Sequence, residues 1–104
     1  MKTIDELRNY LQHGHFEFSH HAFKRTVERN ISELEIKEAG KIAKIIEDYP
    51  DDKYAPSCLL LGFTENRRAL HIQVTRIETA PDLIKIITLY QPNEKEWINY
   101  SIRR

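Results

Sequence analysis

Apolar residues recur at helical spacing in the first part of the chain. Thr3 and Glu6 have the three-residue spacing of a capping box, and the apolar positions after them repeat with a helical period as far as Gly14. This pattern predicts a first helix over residues 3–13. Ser32 and Glu35 form a second such pair, which predicts another helix that ends at about Lys44.

Residues 19–30 predict an amphipathic helix between these two. Ser19 is its predicted N-cap, and Asn30 tolerates the left-handed conformation that ends a helix. At 100° per residue, one side of this helix carries Phe23, Thr26 and Val27. The opposite arc is polar and carries His21, Lys24, Arg25, Glu28 and Arg29. Within that arc His21, Arg25 and Arg29 follow one another at four-residue intervals, so they form one polar stripe.

After about residue 44 the pattern changes to short apolar runs separated by turn residues. The predicted strands cover residues 45–49, 57–64, 69–77 and 83–90. The connections between them are short, which predicts an antiparallel meander. Residues 15–18 are compatible with an additional brief edge strand, because Phe16 and Phe18 alternate with a polar residue. The segment 96–102 is compatible with either a last strand or a short helix.

Helices followed by strands are typical of an α+β fold. The sequence predicts one domain over residues 1–104, with helices in about 3–44 and a β-meander in about 45–91. The helices are expected on one face of a roughly four-stranded antiparallel sheet, and residues 92–104 are a C-terminal tail.

The register between the last two strands decides which polar residues share a face. If His71 lies opposite Tyr90, then Gln73 meets Thr88, and the polar side chains collect on one face. This register places Ile87 and Leu89 in the core. We prefer it because the register that differs by one residue buries Thr88 and exposes Leu89.

Composition narrows the function classes. The chain of 104 residues has 16 Lys plus Arg and 16 Asp plus Glu, which excludes a strongly basic nucleic-acid binder of the histone type. The charges are nevertheless uneven, since basic residues share one helix arc while acidic residues gather in 47–52. Cys58 is the single cysteine, and no basic head precedes a long apolar run. These features favour a cytoplasmic protein with no membrane partner.

Five residues have the chemistry of a metal-independent ribonuclease: His21, Arg25, Arg29, His71 and Tyr90. Two histidines can act as acid and base near neutral pH, and arginines can hold a phosphate and stabilise the charge that develops on it. Tyr90 can donate a hydrogen bond to the phosphate or act as the acid. The alternative is an ordinary solvated helix face, with Glu28 pairing Arg25 or a neighbour, and a satisfied histidine in the sheet.

Other chemistry is less well supported. The pairs His13/His15 and His20/His21 lack the ligand spacing of a known metal site, and the acidic residues in 47–52 are better explained as a turn. Cys58 stands in a hydrophobic strand without a paired base, which is typical of an inert thiol. No glycine-rich phosphate loop or nucleophile elbow is present. We therefore expect no metal and no cofactor.

The sequence resembles the small bacterial proteins of the DUF4258 domain family over about residues 18–97. The helical part of the resemblance is Ser19-His20-His21-Ala22, Arg25 and Glu28-Arg29-Asn30-Ile31-Ser32, which follows the pattern S-x-H-A-x-x-R-x-x-E-R-G-I-S. The later parts are Ile46-Glu47-Asp48-Tyr49-Pro50, Leu61-Gly62, Leu70-His71-Ile72 and Ile86-Ile87-Thr88-Leu89-Tyr90, followed by Pro92. Asn30 replaces the usual glycine, and both residues accept a left-handed backbone.

The resemblance implies a place in the barnase, EndoU, colicin and RelE-like (BECR) ribonuclease superfamily. In that superfamily N-terminal helices pack on a four-stranded antiparallel sheet, and many members are toxins of toxin–antitoxin pairs. The family pattern points to the site residues His21, Arg25, Arg29, His71, Thr88 and Tyr90.

The sequence favours two functions over a third option, a purely structural domain. The first is a metal-independent endoribonuclease, the toxin of a bacterial toxin–antitoxin pair, which has an RNA substrate and a cognate antitoxin protein as partners. The second is a non-catalytic module of the same fold that binds a protein or RNA through the polar helix stripe.

Overall fold

The computed structural model describes residues 2–53, 55–76 and 83–104. Its helices are α1 (Ile4–Gln12), α2 (His20–Glu28) and α3 (Glu33–Lys41). Its strands are β1 (Phe16–Phe18), β2 (Lys44–Tyr49), β3 (Ser57–Phe63), β4 (Ala69–Thr75), β5 (Ile84–Tyr90), β6 (Trp97–Ile98) and β7 (Ile102–Arg103). The α+β class is confirmed. Residue 77 of the predicted third strand, and the turn predicted at 78–82, lie outside the described residues.

All three predicted N-caps are confirmed. The side chains of Thr3, Ser19 and Ser32 each accept a hydrogen bond from the backbone N–H three residues later, and Thr3 and Ser32 form complete capping boxes. A cap of this kind stabilises a helix by about 1 kcal/mol. The helix after Ser32 ends earlier than predicted because Lys44 already belongs to β2. No described helix has the length and apolar character needed to cross a membrane.

The main sheet is mixed and has five strands, in the order β1-β5-β4-β3-β2. The four strands β2 to β5 form the antiparallel meander that the sequence predicts. The prediction of a roughly four-stranded antiparallel sheet is wrong in one respect, because β1 adds a parallel edge strand beside β5. Residues 16–18 alone are too short to show which strand they pair with. The three helices pack on one face, and their buried side chains form a single core with the sheet.

The preferred register of β4 and β5 is confirmed. His71 lies opposite Tyr90 and Gln73 opposite Thr88, so the polar side chains do share a face. Beyond that point a β-bulge places Val74 opposite Ile86 and leaves Ile87 as the extra residue. Leu89 is buried as predicted, whereas Ile87 is only half-buried. The prediction for Ile87 is therefore incomplete, because a bulge changes which residues of a strand face the core.

The apolar side of α2 faces outward. Phe23 and Val27 are 58% and 69% exposed, while Ala22 is fully buried in the core. The Ser19 N–H donates to the Ile86 carbonyl and the Ser19 hydroxyl donates to the Ile87 carbonyl. These bonds fix the start of the helix close to β5, where a residue as small as alanine fits against the sheet.

The C-terminal tail crosses the second face of the sheet, opposite the helices. It contains the short antiparallel pair of β6 and β7, so the segment is neither a helix nor a single strand but a small hairpin. The turn between them contains Asn99 and Tyr100, both with positive φ, and the Ser101 N–H donates to the Ile98 carbonyl. Trp97 is 2% exposed, which shows how closely the tail packs on the sheet.

We expect Gly62→Ala to destabilise the fold because α3 lies directly against β3 at this residue. A Cβ atom added at Gly62 would stand 2.1 Å from the carbonyl oxygen of Ala39, which belongs to the helix backbone. A clash with backbone is costly to relieve, so the free energy of unfolding should fall by about 2–3 kcal/mol in urea denaturation. Glu65→Ala, in the exposed turn that follows, is the control. Equal stability of the two variants would contradict this packing.

Candidate functional site

His71 lies at the centre of the second face of the sheet and is fully buried. Its Nε2 lies 2.6 Å from the carbonyl oxygen of Tyr100, and its Nδ1 lies 3.2 Å from the hydroxyl of Tyr90. A carbonyl can only accept, so Nε2 carries the proton, and in the neutral ring Nδ1 accepts from the Tyr90 hydroxyl. Burial lowers the pKa of His71, although the Tyr100 carbonyl opposes this shift. The imidazole is therefore held in its neutral form with one defined tautomer.

Two aromatic rings enclose the His71 ring. The centroid of Tyr90 lies 5.2 Å from that of His71, and the centroid of Trp97 lies 4.4 Å away with the two planes at 89°. Burial also raises the pKa of the Tyr90 phenol, which keeps it protonated and able to donate to His71. The described geometry therefore gives no phosphate direct access to His71, but Tyr90 lies between the histidine and a cavity.

Arg29 reaches this group from the end of α2. Its Nη1 donates to the Leu89 carbonyl at 3.3 Å, and its guanidinium carbon lies 5.8 Å from the centre of the Tyr90 ring. The two residues border a cavity of about 310 Å³. The cavity is lined by Arg29, Tyr90, Gln91, Asn93, Glu96 and Trp97. Arg29, Tyr90 and His71 thus form a connected row that leads from the cavity into the sheet.

The other predicted site residues lie apart from this row. Arg25 forms an ion pair with Glu28 at 2.6 Å, as the solvated-face alternative predicts. His21 is exposed in the first turn of α2, and its side chain makes no hydrogen bond or ion pair within the described residues. Thr88 is half-buried opposite Gln73. The structure therefore brings together three of the six predicted residues.

A pair of charged residues beside His71 has no signal in the sequence pattern. The Nε–H of Arg103 is shared between the two carboxylate oxygens of Glu47, at 2.9 and 3.2 Å, and the hydroxyl of Tyr49 also donates to this carboxylate. Burial alone would raise the pKa of Glu47, but the bonds from Arg103 and Tyr49 outweigh it and hold the pKa below its ordinary value. The Arg103 guanidinium also lies 4.6 Å from the Trp97 ring centre. This ion pair fixes the tail over the sheet, and the separation of 56 residues gives it no local sequence signal.

A second cavity, of about 600 Å³, opens beside this ion pair. It is lined by Tyr49, Pro50, Asp51, Asp52, Gln73 and Arg103. Asp52 accepts hydrogen bonds from Ser57 at 2.6 Å and from Gln73 at 3.3 Å, which supports its interpretation as a turn residue tied to the sheet. Within residues 2–53, 55–76 and 83–104, no cluster of His, Cys, Asp and Glu is placed to hold a metal ion.

Cys58 is buried on the helix-facing side of β3, within the core. Burial raises the pKa of its thiol to about 12. A thiol with this pKa is almost entirely protonated at neutral pH, and the thiolate is the nucleophilic form. The geometry agrees with the prediction of an inert thiol.

The fold and site define a small α+β domain with a buried histidine, a tyrosine and an arginine in one row. The sequence model of the family described as Domain of unknown function (DUF4258) matches residues 18–91, so the chain belongs to this family. The matched segment begins in β1 and ends directly after β5, and it contains Arg29, His71 and Tyr90. Comparisons with curated proteins and with solved structures find no match.

The lowered pKa of His71 predicts a loss of stability on mild acidification. In the unfolded chain this histidine titrates near its ordinary pKa of 6.5, whereas the folded protein takes up its proton only at lower pH. As the pH falls below 6.5, the unfolded state therefore gains a proton that the folded state lacks, and the free energy of unfolding decreases. Urea denaturation from about pH 7 to about pH 5 measures the effect.

The control for this prediction is His71→Asn, which keeps a polar side chain without the titration. Its own stability will be lower, but the slope of its stability against pH should be smaller than that of the wild type. This pH range lies above the ordinary carboxyl pKa of 4.5, so Glu35 and Glu47 contribute little. Identical slopes for the two proteins would show that His71 titrates normally in the fold.

Proposed function

We propose that this protein is a metal-independent endoribonuclease that acts at the row of Arg29, Tyr90 and His71. The observation that supports the proposal is the contact of the Arg29 guanidinium with Tyr90, whose hydroxyl is in turn hydrogen-bonded to His71 beside an open cavity. The phenol ring of Tyr90 thus separates a cation that can bind phosphate, Arg29, from a proton acceptor, His71. These are two of the groups that cleavage of RNA by its own 2′-hydroxyl requires.

Tyr90 carries the proton in this mechanism because His71 is enclosed. The 2′-hydroxyl donates its proton to the Tyr90 oxygen while the Tyr90 proton passes to Nδ1 of His71. The 2′-oxygen forms a bond to phosphorus, the bond to the 5′-oxygen breaks, and a 2′,3′-cyclic phosphate results. Nε2 of the resulting imidazolium keeps its hydrogen bond to the Tyr100 carbonyl, and the negative charge of Glu47 favours the charged ring.

The remaining predicted residues act around the phosphate in this proposal. Arg29 stabilises the charge that develops on the phosphorane, and Arg25, one helical turn earlier, adds a second positive charge when the phosphate replaces Glu28 as its partner. His21 supplies the proton to the departing 5′-oxygen. Thr88 provides a hydroxyl on the same face of β5 as Tyr90. The proposed biological role is that of the toxin in a bacterial toxin–antitoxin pair of the BECR superfamily.

One observation favours a second candidate, a non-catalytic module that binds RNA or a protein through the polar stripe of α2. His71 is fully buried, and both of its ring nitrogens already have partners. A histidine in that state stabilises the sheet without any role in chemistry. In this alternative Arg29 binds a partner, and no bond is broken.

Cleavage of single-stranded RNA in excess chelator distinguishes these functions. We expect products that end in 2′,3′-cyclic phosphate or 3′-phosphate, and a loss of about 100-fold or more in kcat/KM for Arg29→Gln and Tyr90→Phe. The first change removes the phosphate cation, and the second removes the proton carrier while it keeps the ring. Arg67→Gln, in the turn between β3 and β4, is the matched arginine control and should cleave like the wild type.

Each other outcome has a definite meaning. RNA binding that depends on Arg29 without any cleavage would establish the binding module in place of the enzyme. Cleavage that is abolished by the chelator, or unchanged in both Arg29→Gln and Tyr90→Phe, would refute the proposed mechanism. Expression of the chain alone in bacteria tests the toxin role, since growth should stop with the wild type and continue with Tyr90→Phe.

A further inference from the structure

Arg68 joins three separate segments of the chain around the Arg29 site. It stands between β3 and β4, and its Nη2 donates to the Arg29 carbonyl at 3.0 Å. Its Nη1 donates to the Asn30 carbonyl at 3.0 Å and to the carboxylate of Glu35 at 3.0 and 3.1 Å. Its Nε donates to the side-chain oxygen of Gln91 at 3.0 Å. One guanidinium thus binds the end of α2, the start of α3 and the residue that follows β5.

These bonds satisfy backbone carbonyl groups at the end of α2 that have no partner within the helix. The last carbonyls of a helix have no partner within it, and Asn30 ends this segment with a left-handed φ of 52°. Glu35 is the capping-box residue of α3, and it bonds Ser32 and Arg68 at the same time. Burial alone would raise the pKa of Glu35, but the bonds from Ser32 and Arg68 lower it, so the carboxylate stays charged.

The same bonds reach both walls of the cavity beside Tyr90. Arg29 and Gln91 both line it, and Arg68 holds the backbone of the first and the side chain of the second. The Arg29 side chain must extend from that fixed backbone to the Leu89 carbonyl and the Tyr90 ring. Movement at the end of α2 would therefore move the guanidinium relative to the Tyr90 hydroxyl.

We propose that Arg68 is the positioning residue of this site, which holds the Arg29 guanidinium at the distance from Tyr90 that phosphate binding needs. The proposal rests on the proposed function, in which Arg29 binds the scissile phosphate. Arg68 itself does not touch the substrate. It acts through the backbone of Arg29 and the side chain of Gln91.

Lysine should not replace Arg68. The planar guanidinium presents donors in several fixed directions, and Arg68 uses three of its nitrogens on acceptors from three segments. An ammonium group has one nitrogen on a flexible stem, so it can neutralise Glu35 but cannot also hold Arg29 and Gln91. A comparison of Arg68→Lys with the wild type therefore separates the effect of the guanidinium hydrogen bonds from the effect of the positive charge.

The test compares Arg68→Lys and Arg68→Gln with Arg76→Gln. Arg76 is a matched control because it also makes an ion pair, with Asp48 at 2.8 Å, and binds a backbone carbonyl, that of Lys2, away from the Arg29 site. The first readout is the NMR signal of the Arg29 side chain in protein with isotope-labelled arginine. The second is kcat/KM on single-stranded RNA, measured at a temperature at which every variant is folded.

Both Arg68 variants should shift the Arg29 signal and lower kcat/KM by about tenfold to a hundredfold, while Arg76→Gln leaves both unchanged. Full activity of Arg68→Lys, or equal losses in Arg68→Gln and Arg76→Gln at comparable stability, would overturn the proposal. If the wild type does not cleave RNA, the proposed function fails, and the NMR comparison still decides whether Arg68 positions Arg29. An unchanged Arg29 signal in both Arg68 variants would then refute it.

Discussion

The carbonyl groups of β5 need hydrogen-bond donors, and β1 is too short to supply them all. β1 pairs with Ile84 to Ile86 and ends there, although β5 continues to Tyr90. Beyond β1 the donors come from the helix that follows it, since Ser19 binds the carbonyls of Ile86 and Ile87, and Arg29 binds that of Leu89. This requirement fixes both ends of α2 on the sheet edge. It places Arg29 beside Tyr90 and turns Phe23 and Val27 outward.

A second constraint acts on the opposite face, where a fully buried imidazole must find partners for both nitrogens. A buried polar group without a partner costs about 1–3 kcal/mol, and no buried side-chain nitrogen or oxygen among the described residues lacks one. Tyr90 supplies one partner from the neighbouring strand, and the Tyr100 carbonyl supplies the other from the tail. The position of the tail is thus coupled to the tautomer of His71 through Tyr100, and the Glu47–Arg103 ion pair holds both in place.

Sequence patterns predicted the features that local physics determines. The caps at Thr3, Ser19 and Ser32 depend on residues within three positions, and the pairing of His71 with Tyr90 follows from the separation of polar and apolar side chains. For α2 the periodicity shows that the helix has two sides but not which side packs on the sheet. Arg29, from the polar stripe, donates a hydrogen bond to β5, and the apolar side of the helix faces outward.

The other differences come from long-range contacts. The partner of β1 lies 68 residues further along the chain, and Glu47 and Arg103 are 56 residues apart. Nothing beside Arg68 in the sequence indicates its four acceptors from distant segments. Of the candidate site, His71 and Tyr90 followed from strand register, whereas their enclosure by Trp97 and Tyr100 depends on how the tail crosses the sheet.

Backbone strain in the turn between β6 and β7 reduces the free energy with which the tail binds over His71. Asn99 and Tyr100 both adopt left-handed φ values, 49° and 60°, where glycine is the usual residue. Asparagine accepts this conformation easily, but a side chain as large as that of tyrosine loses about 1–2 kcal/mol there. Tyr100 regains part of that energy from its ring contact with Phe63 and from the bond of its carbonyl to His71. The contacts of Tyr100 with Phe63 and His71 therefore hold the turn in a strained conformation. If the tail moved away from the sheet, this strain would be released.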